Sequence, residues 1–110
     1  MGIYRMYTGP DNEPHIEELP LSAHPELGDL QTVNGLQIQQ NQGGRFIDFH
    51  QAPNKRWLIT ISGELEIGLG DGTVHKFGTG DVRLIEDVTG HGHTTRYVTD
   101  HASALMLLPD

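Results

Sequence analysis

The stretch "RWLITISGELEIGLGDGTVHKFGTGDV", Arg56 to Val82, decides the fold class. Leu65, Ile67 and Leu69 alternate with Glu64 and Glu66, the two-residue period of a strand with one dry face and one wet face. Asp71-Gly72 follows and predicts a hairpin with a two-residue type I′ turn, which needs positive φ at both central positions. Val74 and Phe77 then fall on the returning strand, and "GTGD" turns the chain into "VRLIED". Upstream, Ser62-Gly63 marks another tight turn, and the strand before it is apolar on both faces. Trp57, Ile59 and Ile61 share one face, while Leu58 lies on the other with Thr60. A strand of that kind runs centrally, between a core and a second layer or a partner subunit.

Outward from this stretch the chain keeps the same character. "IYRMYT", "HIEEL" and "LQIQQ" are candidate strands within residues 1–44, and "LSAHPELGDL" has room only for a turn of helix between Pro25 and Gly28. The 14 glycines are spread along the chain, as in a protein of many turns. At 110 residues the sequence predicts one domain, residues 1–110, able to bury roughly two-thirds of its unfolded surface. The fold class is all-β, a sandwich or barrel with little or no helix.

Charge and composition narrow the function. Net charge is −8, and no Lys or Arg lies between Arg5 and Arg45. A surface of that sign repels phosphate, so neither nucleic acid nor an anionic membrane is expected as a partner. With no cysteine there is no disulfide, thiolate metal site or thiol nucleophile. "MGIYRMYTGP" lacks a signal-like apolar core, and Met6 stands where a myristoylation signal needs Ser or Thr. "ALMLL" is far too short to span a bilayer. A soluble, cytoplasmic protein is the expectation.

Residues 44–108 resemble the core of a cupin: a strand ending in Gly63, a hairpin, then "GD" opening the next strand. Residues 1–43 would be the variable N-terminal strands. The resemblance implies a double-stranded β-helix, a jelly-roll barrel that is often a homodimer, with a ligand or metal site inside. Metal-binding cupins carry His-x-His, then a Glu, then a Gly seven residues further on. Counted back from Gly63, the Glu position falls on Arg56 and the His pair on His50 and Ala52, so one ligand of three is kept. The second motif adds one His after "GDV". His91 fits the usual spacing from Gly80, and His93 fits a loop two residues longer.

Three candidate sites follow. A small, anionic molecule could be bound in the barrel by Arg56, His50 and His93, since a guanidinium grips a carboxylate through two hydrogen bonds. Beside a divalent ion about 5 Å away, the same guanidinium would meet raw repulsion of about 5–8 kcal/mol at an effective dielectric near 20. The second candidate is a metal-dependent oxygenase or isomerase. There Asp48 and His50, two apart in "FIDFH", would share a face and join His93 around iron, zinc, manganese or nickel. The third is a structural or regulatory dimer without chemistry. Of the loop pair, His93 is favoured for the lumen because the strand resumes beside it at "TTR", and His91 between two glycines should face water. Glu86 and Asp87 read as a solvated carboxylate pair ending a strand. Trp57 should pack away from the lumen. The His–Asp dyad of cupin-type sugar-nucleotide epimerases has no legible counterpart.

Overall fold

Side-chain alternation over short segments, interrupted by glycine, produces ten strands among residues 1–109, which this computed structural model describes. They are β1 (Ile3–Thr8), β2 (Pro14–Glu18), β3 (Leu36–Asn41), β4 (Phe46–His50), β5 (Arg56–Ser62), β6 (Leu65–Gly68), β7 (Val74–Phe77), β8 (Val82–Ile85), β9 (His93–Tyr97) and β10 (His101–Leu107). One turn of 3-10 helix, Pro25–Gly28, is all that "LSAHPELGDL" forms. The strands make a six-stranded sheet in the order β2-β1-β8-β5-β10-β3 and a four-stranded sheet in the order β4-β9-β6-β7. Pairing is antiparallel except between β1 and β8. The chain changes sheet after β3, β4, β5, β7, β8 and β9, which wraps the two sheets face to face into a jelly roll.

Gly63 makes the crossing from β5 to β6 possible. Its φ is +97°, and a Cβ there would stand 2.2 Å from the Asp100 carbonyl oxygen, in the loop between β9 and β10. The hairpin at Asp71-Gly72 is where the sequence places it, but its turn is different. Gly72 donates to the Leu69 carbonyl, Leu69 donates to Thr73, and in this loop only Gly72 has positive φ. That is a three-residue loop, a type I turn closed by one left-handed glycine, rather than a type I′ turn. Asp71 is therefore spared positive φ, and its carboxylate accepts instead from the Thr73 amide and hydroxyl.

The dry core lies between the sheets, where Met6, Leu65, Ile67, Leu69, Phe77, Ile85 and Ala52 are buried together. Tyr4 packs its ring edge-on to Phe77 at 5.1 Å. On β5, Leu58 and Thr60 face inward, whereas Trp57 and Ile59 face out. The second layer over that outer face is partly the chain's own segment 21–33: Leu21, Leu27, Leu30 and Val33 line a groove with Trp57, whose indole N–H donates to Gln31 Oε1 at 2.8 Å.

Candidate functional site

A cavity of about 120 Å³ remains inside the barrel, beyond the dry core. Its position follows from strand ends. β4 and β9 close one wall, with Ile47, His50, His93, Thr95 and Tyr97, and β5 and β8 close the other, with Arg56, Leu58, Arg83 and Ile85. Arg56 also borders an outer recess formed with Leu36, Gln37, Asn54 and Leu107, so it stands at the mouth. Arg83 pairs across the sheet with Leu58, one inward position deeper than Arg56, which pairs with Ile85.

The structure brings His50 and His93 together, with ring centroids 4.6 Å apart and planes tilted by 58°. Each ring is held by its Nδ1. His50 Nδ1–H donates to the Asp48 carbonyl at 2.8 Å, and His93 Nδ1–H donates to Asp87 Oδ2. Both rings therefore keep Nε2 as the free nitrogen. His91 lies outside, exposed, stacked on Phe49 at 4.0 Å and bonded to Glu13.

Asp48 is not with them. Pairing of β4 with β9 slips between Ile47 and His50, so Ile47 and His50 are the residues that face the lumen. A bulge of this kind breaks the strict period of two on which the Asp48–His50 pairing depends. Asp48 is exposed, and its carboxylate accepts from the Phe49 amide.

The reading of Glu86 and Asp87 as a solvated pair also needs correction. Glu86 accepts from Arg5 Nε at 2.6 Å, across the β1–β8 seam. Asp87 is 0% exposed and forms a buried His–Asp pair with His93, itself 5% exposed. The signal was the period of two itself: Arg83, Ile85 and Asp87 share a face, and Ile85 marks that face as the inner one.

Arg83 is the residue that sequence reasoning missed altogether. It is 3% exposed, contacts the Met6 sulfur at 3.7 Å, lies over the Phe77 ring at 5.2 Å, and has an unpartnered Nε. Burial pulls its pKa down to about 10, against the raising influence of Tyr97, Asp87 and Asp81, so it stays charged at neutral pH. Arg56 is half-buried, and loss of water lowers its pKa as well. Its Nε donates to the Asn54 carbonyl at 3.0 Å, and its Nη2 donates to Asn54 Oδ1. Among the described residues, neither guanidinium forms an ion pair with a carboxylate.

These residues do not fit a three-ligand metal centre. Two imidazoles face the cavity, but Arg56 and Ala52 occupy the positions of the other cupin ligands, and Asp48 is turned out. Among the described residues no group of three or more His, Cys, Asp or Glu is gathered closely enough to hold an ion.

The architecture is that of a double-stranded β-helix. More narrowly, the chain has the small single-domain cupin fold, as comparison with solved structures shows. A double-stranded β-helix protein from Klebsiella pneumoniae is similar, with a TM-score of 0.54 at 21% identity, over 73% of this chain and 71% of that one. A cupin-2 protein from Shewanella frigidimarina gives 0.53 at 13% identity, over 83% and 94%. A cupin 2 conserved barrel protein from Leptotrichia buccalis gives 0.51 at 17% identity, over 67% of this chain and 35% of that longer one. No protein-family model and no curated protein matches the sequence. No helix among the described residues is long and apolar enough to cross a membrane.

Proposed function

We propose that the protein binds a small organic anion inside the barrel, with Arg56 as the cation at the mouth and His50 and His93 as hydrogen-bonding groups beside it. One observation carries this reading: the cavity gathers these three residues in its walls, and Arg56 has no acidic partner among the described residues. A carboxylate entering there would meet a guanidinium that has already lost much of its water, where a charge-assisted pair is strongest. A thermal-shift screen of small organic acids tests it. At least one acid should raise the melting temperature, and Arg56→Ala should reduce that gain. If no acid in a broad panel shifts the wild type, the reading fails.

The second reading is a metal-dependent oxygenase or isomerase. What favours it is the pair of free Nε2 atoms, one of them on a ring oriented by a buried carboxylate, an arrangement that metal-bound histidines use. It still lacks a third ligand among the described residues. Stoichiometric iron, zinc, manganese or nickel in untagged protein, lost in His50→Ala and in His93→Ala, would replace the anion reading with this one.

We also propose a homodimer. Leu30, Leu36, Ile38 and Ile61 are exposed on the six-stranded sheet and on the segment that crosses it, which supports association through that side. Sedimentation velocity decides the point, and a monomer at high concentration would remove the proposal. A dimer whose barrel takes no ligand would leave the third candidate, a structural or regulatory role.

A further inference from the structure

Arg83 is a buried cation that forms no ion pair with a carboxylate among the described residues. Its guanidinium offers five N–H donors. Among the described residues, the only side-chain acceptor it meets is the Met6 sulfur at 3.7 Å, a weak one, and Nε meets none. The charged groups around it do not change this. Asp87 is engaged by His93, and its second oxygen is itself unpartnered. Asp81 accepts from the Gly2 and Gly78 amides. His101, buried nearby, is bonded to Thr60 Oγ1 at 3.3 Å.

Two guanidinium groups thus line the cavity, and the carboxylate of Asp87, buried against His93, is already taken. Set against Asp87, the guanidinium groups of Arg56 and Arg83 leave the lumen one negative charge short. The cavity of about 120 Å³ has room for about four waters, and so for a short-chain acid. Arg83 lies deeper than Arg56, and the wall between them is Leu58 and Ile85.

We infer that Arg83 is the anchor of the lumen site, and that the ligand class is a compact monocarboxylate whose anionic end enters first and pairs with Arg83. This rests on the lumen reading proposed above and adds a residue, an orientation and a charge to it. A monoanion balances the lumen, and the buried guanidinium gains the bidentate partner that its geometry suits. The rest of the molecule lies between His50, His93 and Arg56, where hydroxyl or carbonyl groups find hydrogen-bond partners. A phosphate dianion brings more charge than the site lacks. A neutral amide brings none.

The test is titration calorimetry with acetate, lactate, pyruvate, succinate and inorganic phosphate, on wild type and on Arg83→Met, Arg83→Lys and Arg56→Ala. At least one monocarboxylate should bind wild type at least ten-fold more tightly than succinate or phosphate does. Arg83→Met should lose that binding, and Arg83→Lys should weaken it at least ten-fold, because an ammonium cannot make the fork. Arg56→Ala should weaken it less than Arg83→Met does. Without ligand, Arg83→Met should melt at or above the wild-type temperature, since an apolar side chain of similar length replaces an unpaired buried charge. A large drop in melting temperature, or failure to fold, would make Arg83 a structural residue and overturn the inference. Binding retained in Arg83→Met but lost in Arg56→Ala would also overturn it, while leaving the lumen reading intact. Tighter binding of phosphate or succinate overturns the ligand class alone. Silence of every acid on wild type removes both readings.

Discussion

Where β6 and β7 face the other sheet, Leu65, Ile67, Leu69 and Phe77 are buried in an apolar core; where β4 and β9 face β5 and β8, His50, His93, Thr95, Arg56 and Arg83 surround a cavity, with Asp87 buried against His93. Both halves are built from short strands with the same alternation, so backbone geometry does not separate them. Chemistry does. The dry half contributes apolar burial, at roughly 25 cal/mol for each Å² removed from water. The wet half buries two charges and leaves Arg83 Nε and Asp87 Oδ1 without partners, each a cost the fold carries. On the function proposed above, stability and ligand chemistry fall to opposite halves of one barrel.

The largest effect belongs to the dry half. Ile67 is fully buried at its centre, and Ile67→Ala should lower unfolding free energy by about 2–5 kcal/mol through lost transfer energy and the void left behind. Urea denaturation reads this directly, with an unchanged m-value expected. A loss below about 1 kcal/mol would mean that the dry half collapses around the void and that the contrast between the halves is overstated.

A smaller loss is expected in the wet half. Asp87→Ala removes the acceptor of the His93 N–H and leaves a buried donor unpaired, which costs about 1–3 kcal/mol. The same substitution also deletes a carboxylate oxygen with no partner, and that offsets part of the loss. If Asp87→Ala proves as damaging as Ile67→Ala in the same urea series, the dyad is a structural strut and the division of labour fails.

The dry half was far more legible in the sequence than the wet one. "ELEIGLGDGTVHKF" carries its register in a plain alternation, and glycines mark its ends, so strands, hairpin and inner face could all be read locally. The turn type could not, because type I and type I′ loops differ by which of Gly70, Asp71 and Gly72 takes positive φ, and glycine permits either. On the wet side, counting along motifs pointed to His50, Arg56 and His93, and all three line the cavity. Asp48 was misplaced because a bulge leaves no signature in "FIDFH". Arg83 and Asp87 were passed over because charged residues in a strand ordinarily face water. Only the position of Ile85 between them, on the inner face, shows otherwise.

The smallest effect sharpens the boundary between the halves. His101 lies past Arg83 at the far end of the polar strip, 3% exposed, with Nε2 against the Thr60 hydroxyl, Nδ1 unpartnered, and Tyr97 stacked at a tilt 5.4 Å away. Burial first, and the nearby Arg83 charge second, lower its pKa from 6.5. The folded state thus favours neutral His101, and the unfolded chain takes up the proton more readily. Stability is fully present above pH 6.5 and falls as pH drops from there toward the lower, folded-state value, levelling off below it. The slope cannot exceed about 1.4 kcal/mol per pH unit for one proton. Urea midpoints between pH 7.5 and about 5, above the range where carboxylates dominate, should show this decline. His101→Gln keeps a polar group beside Thr60 but cannot titrate, and it should flatten the slope. Arg83→Met should flatten it only in part, because burial rather than the Arg83 charge is the larger cause. A decline unchanged in His101→Gln would place the proton-linked cost elsewhere and sever His101 from the polar strip.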